Sequence, residues 1–244
     1  MKKLKQFVLI LLVFLIGTKF IFAQSAEIDS LKRLAATQNE DSNKFNTLIA
    51  LSRSYFSSNS DEAIRNANLA RELADKLNSN KGIALALKNS GIGYYKKGNY
   101  VAALNDWEQS KKIYEKIGDQ KGVANMLSNL GVIYRDQADD EKALELYLQA
   151  LKIAEQIKDS VRTMTVLLNI GTIYGEKPAT YEKAIDYYEK AWPYAKVMLD
   201  NDAIGTITGN LGEIYLKTNK DSLALINLER SLAAYEGTEN VPYT

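Results

Sequence analysis

The sequence predicts an all-α fold, an α-solenoid of about five helix-turn-helix repeats, and two observations support that prediction. The first is the frame Asn-x-Gly-x-x-Tyr, which recurs along the chain. Its copies are Asn89/Gly91/Tyr94, Asn129/Gly131/Tyr134, Asn169/Gly171/Tyr174 and Asn210/Gly212/Tyr215. The second is a series of small residues in step with the frame, at Ala63, Ala103, Ala143, Ala184 and Ala224. A period of about 40 residues indicates stacked repeats rather than one globular core.

The first repeat is a degraded copy of this pattern. Ala50, Ser52 and Tyr55 hold the frame positions, and Tyr55 precedes Tyr94 by 39 residues. Ser52 replaces the glycine, and Ala67 replaces the aromatic residue that later repeats carry on their second helix. We therefore expect looser packing in this repeat.

Ahead of the repeats, Ile28, Leu31 and Leu34 are spaced three apart, which predicts a short helix over the open end of the first repeat. The predicted division is a signal peptide at 1–23, an N-terminal capping helix and linker at 24–43, repeats at 44–79, 80–118, 119–158, 159–199 and 200–236, and a tail at 237–244.

Each repeat is predicted to hold a first helix, helix A, and a second helix, helix B. In repeat 1 they end near Tyr55 and Leu77. The later A helices are predicted at about 81–97, 120–136, 160–175 and 202–218, and the later B helices at about 100–117, 140–157, 180–198 and 221–236. Between a helix B and the next helix A stand Asp119, Asp159 and Asp200, where a carboxylate can accept hydrogen bonds from orphan backbone N–H groups.

The frame glycines lie inside helix A, where glycine costs roughly 1 kcal/mol relative to alanine. Close approach of helix B offsets that cost, so we expect Gly131 to lie opposite Ala143. The aromatic residue four places after that alanine, at Trp107, Tyr147 or Tyr188, should fill the space beside the pair.

Pro193 lies inside the helix B predicted at 180–198. It cannot donate a hydrogen bond to the carbonyl oxygen of Glu189, so we expect a kink that tilts repeat 5 relative to repeat 4.

The first 23 residues are typical of a secretory signal peptide. Three lysines precede an unbroken apolar run at 7–16, and the segment ends at Ala23. An uncleaved anchor is the alternative, but a run of ten residues is shorter than the roughly 20 needed to span a membrane. We therefore expect an exported protein, periplasmic or secreted, with no membrane contact after cleavage. Cleavage would leave a net charge of about −3, which does not favour binding to nucleic acid.

The chain has no cysteine and no histidine, which removes the commonest metal ligands and general base. Gly91-Ile92-Gly93 lacks a preceding strand and a third glycine, so it indicates core packing rather than nucleotide binding. Asp139-Asp140-Glu141 stands at the predicted start of a helix, whose N-terminus favours negative charge. We therefore expect no enzyme activity, no cofactor and no metal site.

Several spaced positions agree in four copies, and that pattern resembles the tetratricopeptide repeat (TPR), in a variant of about 40 residues, over residues 44–236. The resemblance implies a right-handed TPR-type α-solenoid. The order of parts, including Ile28-Asp29-Ser30-Leu31 before the repeats, also resembles the exported sensor regions of bacterial histidine kinases and adenylate or guanylate cyclases.

In the TPR register the inner wall of the superhelix is lined by helix A. The inward residues are expected to be Arg53, Phe56, Leu85, Lys88, Ile92, Tyr95, Lys96, Asn125, Ser128, Val132, Arg135, Thr165, Leu168 and Thr172. Their apolar and basic side chains would suit a peptide or protein segment with some acidic character. The recurrent asparagines could contact such a peptide or form a hydrogen-bonded ladder between repeats.

These residues predict a non-catalytic scaffold for protein–protein interaction. The alternative is the sensor region of a truncated membrane-anchored histidine kinase or nucleotide cyclase. Leu225, Leu228, Leu232 and Tyr235 follow helical spacing on the last helix B, before a short polar tail. We expect apolar surface to stay exposed there, covered by further chain in the natural protein or by end-to-end self-association.

Overall fold

The computed structural model describes residues 26–237, and this part of the chain is helical without a strand. The first helix, α1, covers 26–37. It is followed by α2 (Ser42–Ser54), α3 (Ser60–Lys76), α4 (Asn80–Lys96), α5 (Tyr100–Lys116), α6 (Gln120–Asp136), α7 (Asp140–Gln156), α8 (Ser160–Gly175), a short 3-10 turn (Pro178–Thr180), α9 (Tyr181–Met198), α10 (Asn201–Lys217) and α11 (Asp221–Glu236). The all-α prediction is confirmed. The signal peptide predicted at 1–23 and nearly all of the predicted tail lie outside the described residues.

The chain forms two compact units, and the boundary between them in the sequence falls between Ile117 and Gly118. The first unit contains α1 to α5 and the second contains α6 to α11. Within each unit, consecutive helices pack as antiparallel pairs, such as α4 with α5, α6 with α7, α8 with α9 and α10 with α11.

The helices are joined by short connections, and most of these connections share the same kinds of turn and cap residues. A residue in the left-handed region lies in most of them, such as Asn78 (φ 51°), Gly98 (φ 75°) and Lys158 (φ 55°). Except at Lys220, the residue after it caps the following helix with its side chain. The aspartates predicted as caps do so, because Asp119, Asp159 and Asp200 accept hydrogen bonds from the backbone nitrogens of Gly122 (2.9 Å), Arg162 (3.1 Å) and Ala203 (2.9 Å).

Helix A and helix B approach each other at the frame glycine, and the aromatic residue predicted beside it is its nearest neighbour. A Cβ atom added to Gly131 would lie 2.6 Å from Cε1 of Tyr147, so the tyrosine ring, not Ala143, covers the glycine. Ala143 is fully buried nearby. The same arrangement places Trp107 over Gly91, Tyr188 over Gly171 and Leu228 over Gly212.

The first repeat closes without an aromatic residue. Ser52 and Ala67 are both fully buried, and the Ser52 hydroxyl donates a hydrogen bond to the Ala63 carbonyl oxygen at 2.8 Å. No solvent-accessible gap lies at these two small residues, and the looser packing expected for this repeat stays a prediction. Ile28 of α1 is also buried and packs with Leu51.

A carboxylate is buried in the first unit. Asp106 on α5 is 7% exposed and accepts a hydrogen bond from the Ser90 hydroxyl on α4. Burial raises the pKa of this carboxyl group, while the Ser90 hydrogen bond and the Arg71 charge act in the opposite direction. The folded protein therefore holds a proton on Asp106 at pH values where the unfolded chain has released it.

We expect Asp106→Asn to be more stable than the native protein at neutral pH. Because the folded pKa is raised, the Asp106 contribution is fully present below the ordinary Asp pKa of about 3.9 and is lost as pH rises through the folded pKa. The stability difference between variant and native protein should therefore grow from pH 4 towards pH 7. Urea unfolding at both pH values measures it, with the exposed Asp75→Asn as control. A difference that does not change with pH would contradict this account.

Candidate functional site

The described part of the chain shows no group of acidic side chains arranged to hold a metal ion. Nor does any helix in residues 26–237 have the length and apolar character needed to cross a bilayer. Gly91 and Gly93 face Trp107 and Ile64, which is helix packing. Asp139 caps α7 by accepting a hydrogen bond from the Lys142 backbone nitrogen at 3.0 Å. Gly91, Gly93 and Asp139 thus have structural roles in helix packing and helix capping.

In the first unit, the predicted groove residues of α4 form one helical stripe. Leu85, Lys88, Ile92 and Tyr95 are half-buried, and Lys96 is exposed beside them. The Tyr95 ring stacks on Tyr100 with the centroids 5.8 Å apart. It also lies 6.0 Å from Trp107, so the stripe rests on a rigid aromatic support.

Two predicted groove residues belong to the first repeat. Arg53 is exposed near the end of α2. Phe56 lies just beyond that helix and packs against the cluster that contains Leu51 and Tyr55.

In the second unit, the predicted groove residues lie on α6 and α8. Asn125, Val132, Arg135, Thr165, Leu168 and Thr172 are half-buried. The prediction for Ser128 is wrong, because this residue is only 3% exposed and its side chain lies in the interior. Arg135 pairs with Asp136 at 2.8 Å.

The threonine hydroxyls on α8 are already used as donors. Thr165 donates to the Val161 carbonyl oxygen and Thr172 to that of Leu168, at 2.8 and 3.0 Å. These hydroxyls can therefore only accept a further hydrogen bond.

The repeat register contains one break that opens a pocket in the second unit. The residue four places after the frame glycine differs between the repeats. In repeats 2 to 5 it is Tyr95, Arg135, Gly175 and Leu216, respectively. The glycine on α8 leaves a cavity of about 320 Å³, which we name the Gly175 pocket. Its lining consists of Thr172, Gly175, Glu176, Tyr188, Asn210, Glu213, Ile214 and Lys217. Of these residues, only Thr172 was predicted as part of the binding surface.

The floor of the Gly175 pocket is the hydroxyl group of Tyr188 on α9. Its ring is 1% exposed, and its hydroxyl accepts a hydrogen bond from Asn210 Nδ2 at 3.0 Å and lies 3.5 Å from the Thr172 hydroxyl. Burial raises the pKa of Tyr188, the two hydrogen bonds lower it, and the charges of Glu213 and Glu176 raise it again. The hydroxyl group therefore stays neutral at physiological pH.

The rim of the pocket carries the charge. Glu176 and Glu213 are exposed, and Lys217 pairs with Glu213 across one helical turn at 2.7 Å. Ile214 supplies an apolar wall, and its Cδ1 atom would lie 3.7 Å from a Cβ on residue 175.

The recurrent frame asparagines have structural roles where their contacts are clear. Asn210 bonds to Tyr188 of the preceding repeat, as expected for a ladder between repeats. Asn89 is fully buried, so it cannot reach a peptide, and its side-chain amide has no hydrogen-bond partner among the described residues. The position on α3 that corresponds to Tyr188 holds Ala67, which has no hydroxyl group to offer.

The family model of the tetratricopeptide repeat matches residues 82–156 and 122–196 of the chain. The fold is similar to that of BtubC (BKLC) from P. vanneervenii, with a TM-score of 0.70 and 19% identity, over 92% of this chain and 94% of that chain. Aspartyl phosphate phosphatase F from Bacillus subtilis has a TM-score of 0.68 and 12% identity, over 91% and 71%.

The Rap conjugation gene regulator of plasmid pLS20, in complex with a Phr peptide, has a TM-score of 0.67 and 16% identity, over 92% of this chain and 71% of that chain. At these identities the likeness shows the fold alone. No curated protein matches the chain.

Proposed function

Because this chain belongs to the tetratricopeptide repeat proteins, we propose that it is a non-catalytic scaffold that binds a peptide or protein segment along the inward side of its A helices. The observation that carries the proposal is the stripe of half-buried apolar and basic side chains on α4, with its counterparts on α6 and α8. Such a stripe offers pockets for side chains and polar contacts to an extended or helical segment.

The fold likeness supports the same proposal. Repeats of this type are in general scaffolds, whose stacked helices present extended binding surfaces. A protein of similar fold, the Rap regulator of pLS20, has been solved in complex with a peptide.

We expect charge changes on this surface to weaken binding of peptides selected from a displayed random library. The change combines Lys96→Glu and Arg135→Glu with Lys88→Gln, because Lys88 is half-buried. Loss of electrostatic complementarity should raise the Kd of the selected peptides by about tenfold or more. Fluorescence anisotropy measures the Kd, and far-UV circular dichroism checks that helicity is unchanged.

The matched control carries Lys112→Glu and Lys152→Glu, two exposed lysines on B helices. It changes the net charge by a similar amount without touching the proposed surface. Equal loss of binding in the control, or a library that yields no binding peptide, would overturn the proposal.

We also propose that the protein is exported, on the basis of the segment at 1–23. The expected outcome is a mature chain that begins after Ala23, as read by the intact mass of protein recovered from the periplasm or medium. A mass that retains the segment would argue against cleavage.

Self-association through α11 stays a prediction. Leu225 and Leu232 are each 59% exposed, whereas the matching positions on α9, Ile185 and Trp192, are packed against the neighbouring core. A second copy would present the same apolar pair, so a two-fold contact between α11 helices could cover both. Sedimentation equilibrium should show a dimer that Leu225→Lys with Leu232→Lys dissociates. A native protein that is monomeric at high concentration would contradict the prediction.

A further inference from the structure

We propose that the Gly175 pocket binds one cationic side chain, lysine or arginine, of the bound segment. This inference rests on the proposed function as a peptide-binding scaffold and adds the chemistry of one contact. The pocket lies wholly within the second unit, between α8, α9 and α10.

The charge of the pocket favours a cation. Two carboxylates, Glu176 and Glu213, stand on its rim against one ammonium group, that of Lys217. Lys217 is already paired with Glu213, so the lining keeps a net negative charge at neutral pH. An acidic side chain would be repelled, and a neutral donor would gain less from the two carboxylates than a cation does.

The hydrogen-bonding groups lead to the same conclusion. The Thr172 hydroxyl already donates to the Leu168 carbonyl oxygen, and Tyr188 and Asn210 bond to each other on the floor. The acceptors at the rim are the carboxylates of Glu176 and Glu213, which only accept hydrogen bonds, and Lys217 is the one cation beside them in the pocket lining. Lysine and arginine side chains only donate, and a charged donor on a carboxylate forms a strong hydrogen bond.

The size and walls of the pocket suit one long side chain. A cavity of about 320 Å³ lies at the lower end of the roughly 300–1,000 Å³ of small-molecule sites. Ile214 can contact the aliphatic stem of a lysine or arginine while the charged end stays at the rim. The space exists because residue 175 has no side chain, whereas Tyr95 and Arg135 occupy the same register position in the earlier repeats.

The test is a titration of the 15N-labelled protein with Nα-acetyl-arginine amide, followed by two-dimensional NMR. We expect saturable shifts of the Thr172 and Gly175 amide signals. Glu176→Gln combined with Glu213→Gln should weaken the fitted affinity by about tenfold or more, because both ionic partners are removed. Lys217→Gln should strengthen it, because the competing internal cation is gone.

Two further variants complete the design. Gly175→Arg should abolish the shifts by placing a guanidinium group at the mouth of the pocket, as Arg135 does on α6. Glu229→Gln changes an exposed carboxylate on α11 outside the pocket and should leave the affinity unchanged. Circular dichroism of each variant shows whether it has folded, and the single variants Glu176→Gln and Glu213→Gln serve if the double variant has not.

The proposal is overturned if arginine amide causes no saturable shift, if Nα-acetyl-glutamate amide binds equally well, or if the glutamine variants bind as tightly as the native protein. These failures are distinct from failure of the proposed function. Peptides selected from the library would still bind, and would still be weakened by changes at Lys96 and Arg135, if only the assignment of this pocket were wrong.

Discussion

Gly131→Leu is expected to destabilise the second unit by about 3 kcal/mol or more, because a larger side chain must enter a packed interface. Even the first added atom is too close, since a Cβ at residue 131 would lie 2.6 Å from Cε1 and 2.8 Å from Cδ1 of Tyr147. The tyrosine is fully buried, so its ring has little room to move aside. Urea unfolding followed by circular dichroism measures the change.

Gly131→Ala separates the clash from the helix preference. Alanine gains up to roughly 1 kcal/mol in a helix interior, so a loss of stability in this variant reports the contact with Tyr147. The matched control is Gly175→Ala, where the nearest atom would be the Tyr188 hydroxyl at an ordinary 3.6 Å. We expect that variant to be as stable as the native protein or more so.

The pairing of the two residues is tested by Tyr147→Ala in the Gly131→Ala background. Alanine has none of the ring atoms that lie closest to a Cβ at residue 131, so the double variant should lose less than the sum of the single losses. Additive losses, or an unchanged midpoint for Gly131→Leu, would show that helices α6 and α7 do not meet at this point.

Pro193→Ala is expected to stabilise the protein by about 1–3 kcal/mol, the reverse of the usual cost of proline inside a helix. Pro193 lies within α9, which continues from Tyr181 to Met198, and its ring is on the exposed side. The substitution restores a backbone donor for the Glu189 carbonyl oxygen and removes the ring that crowds it. The melting temperature should rise accordingly.

The control for this prediction is Pro178→Ala. Pro178 begins the short 3-10 turn before α9, where a missing backbone donor costs nothing and the fixed φ favours the turn. This variant should be unchanged or slightly less stable. A Pro193→Ala protein no more stable than the native one would mean that α9 has fully adapted to its proline. The tilt of repeat 5 relative to repeat 4 stays a prediction, measurable from crystal structures of both forms.

The helical architecture could be predicted from the sequence because its signals are local. The spacing of Gly131 and Gly171 sets the repeat, and residues such as Asp159 mark the start of a helix through a hydrogen bond to a nitrogen three residues away. The capping signal depends on neighbours within one turn, and the repeat spacing can be counted along the chain. The positions of helices α2 to α11 were predicted from these signals.

The tertiary structure decides which side chains contact one another. A long side chain on a helix leans back towards the N-terminus, so the Tyr147 ring, predicted from the spacing to lie beside Gly131 and Ala143, comes nearer to Gly131 than Ala143 does. Ser128 has the register of an inward residue, yet its neighbours bury it. The Gly175 pocket joins groups from three helices, with Thr172 and Lys217 45 residues apart in the chain. Such a site exists only once the helices have packed, because its groups share no local interaction that the sequence could reveal.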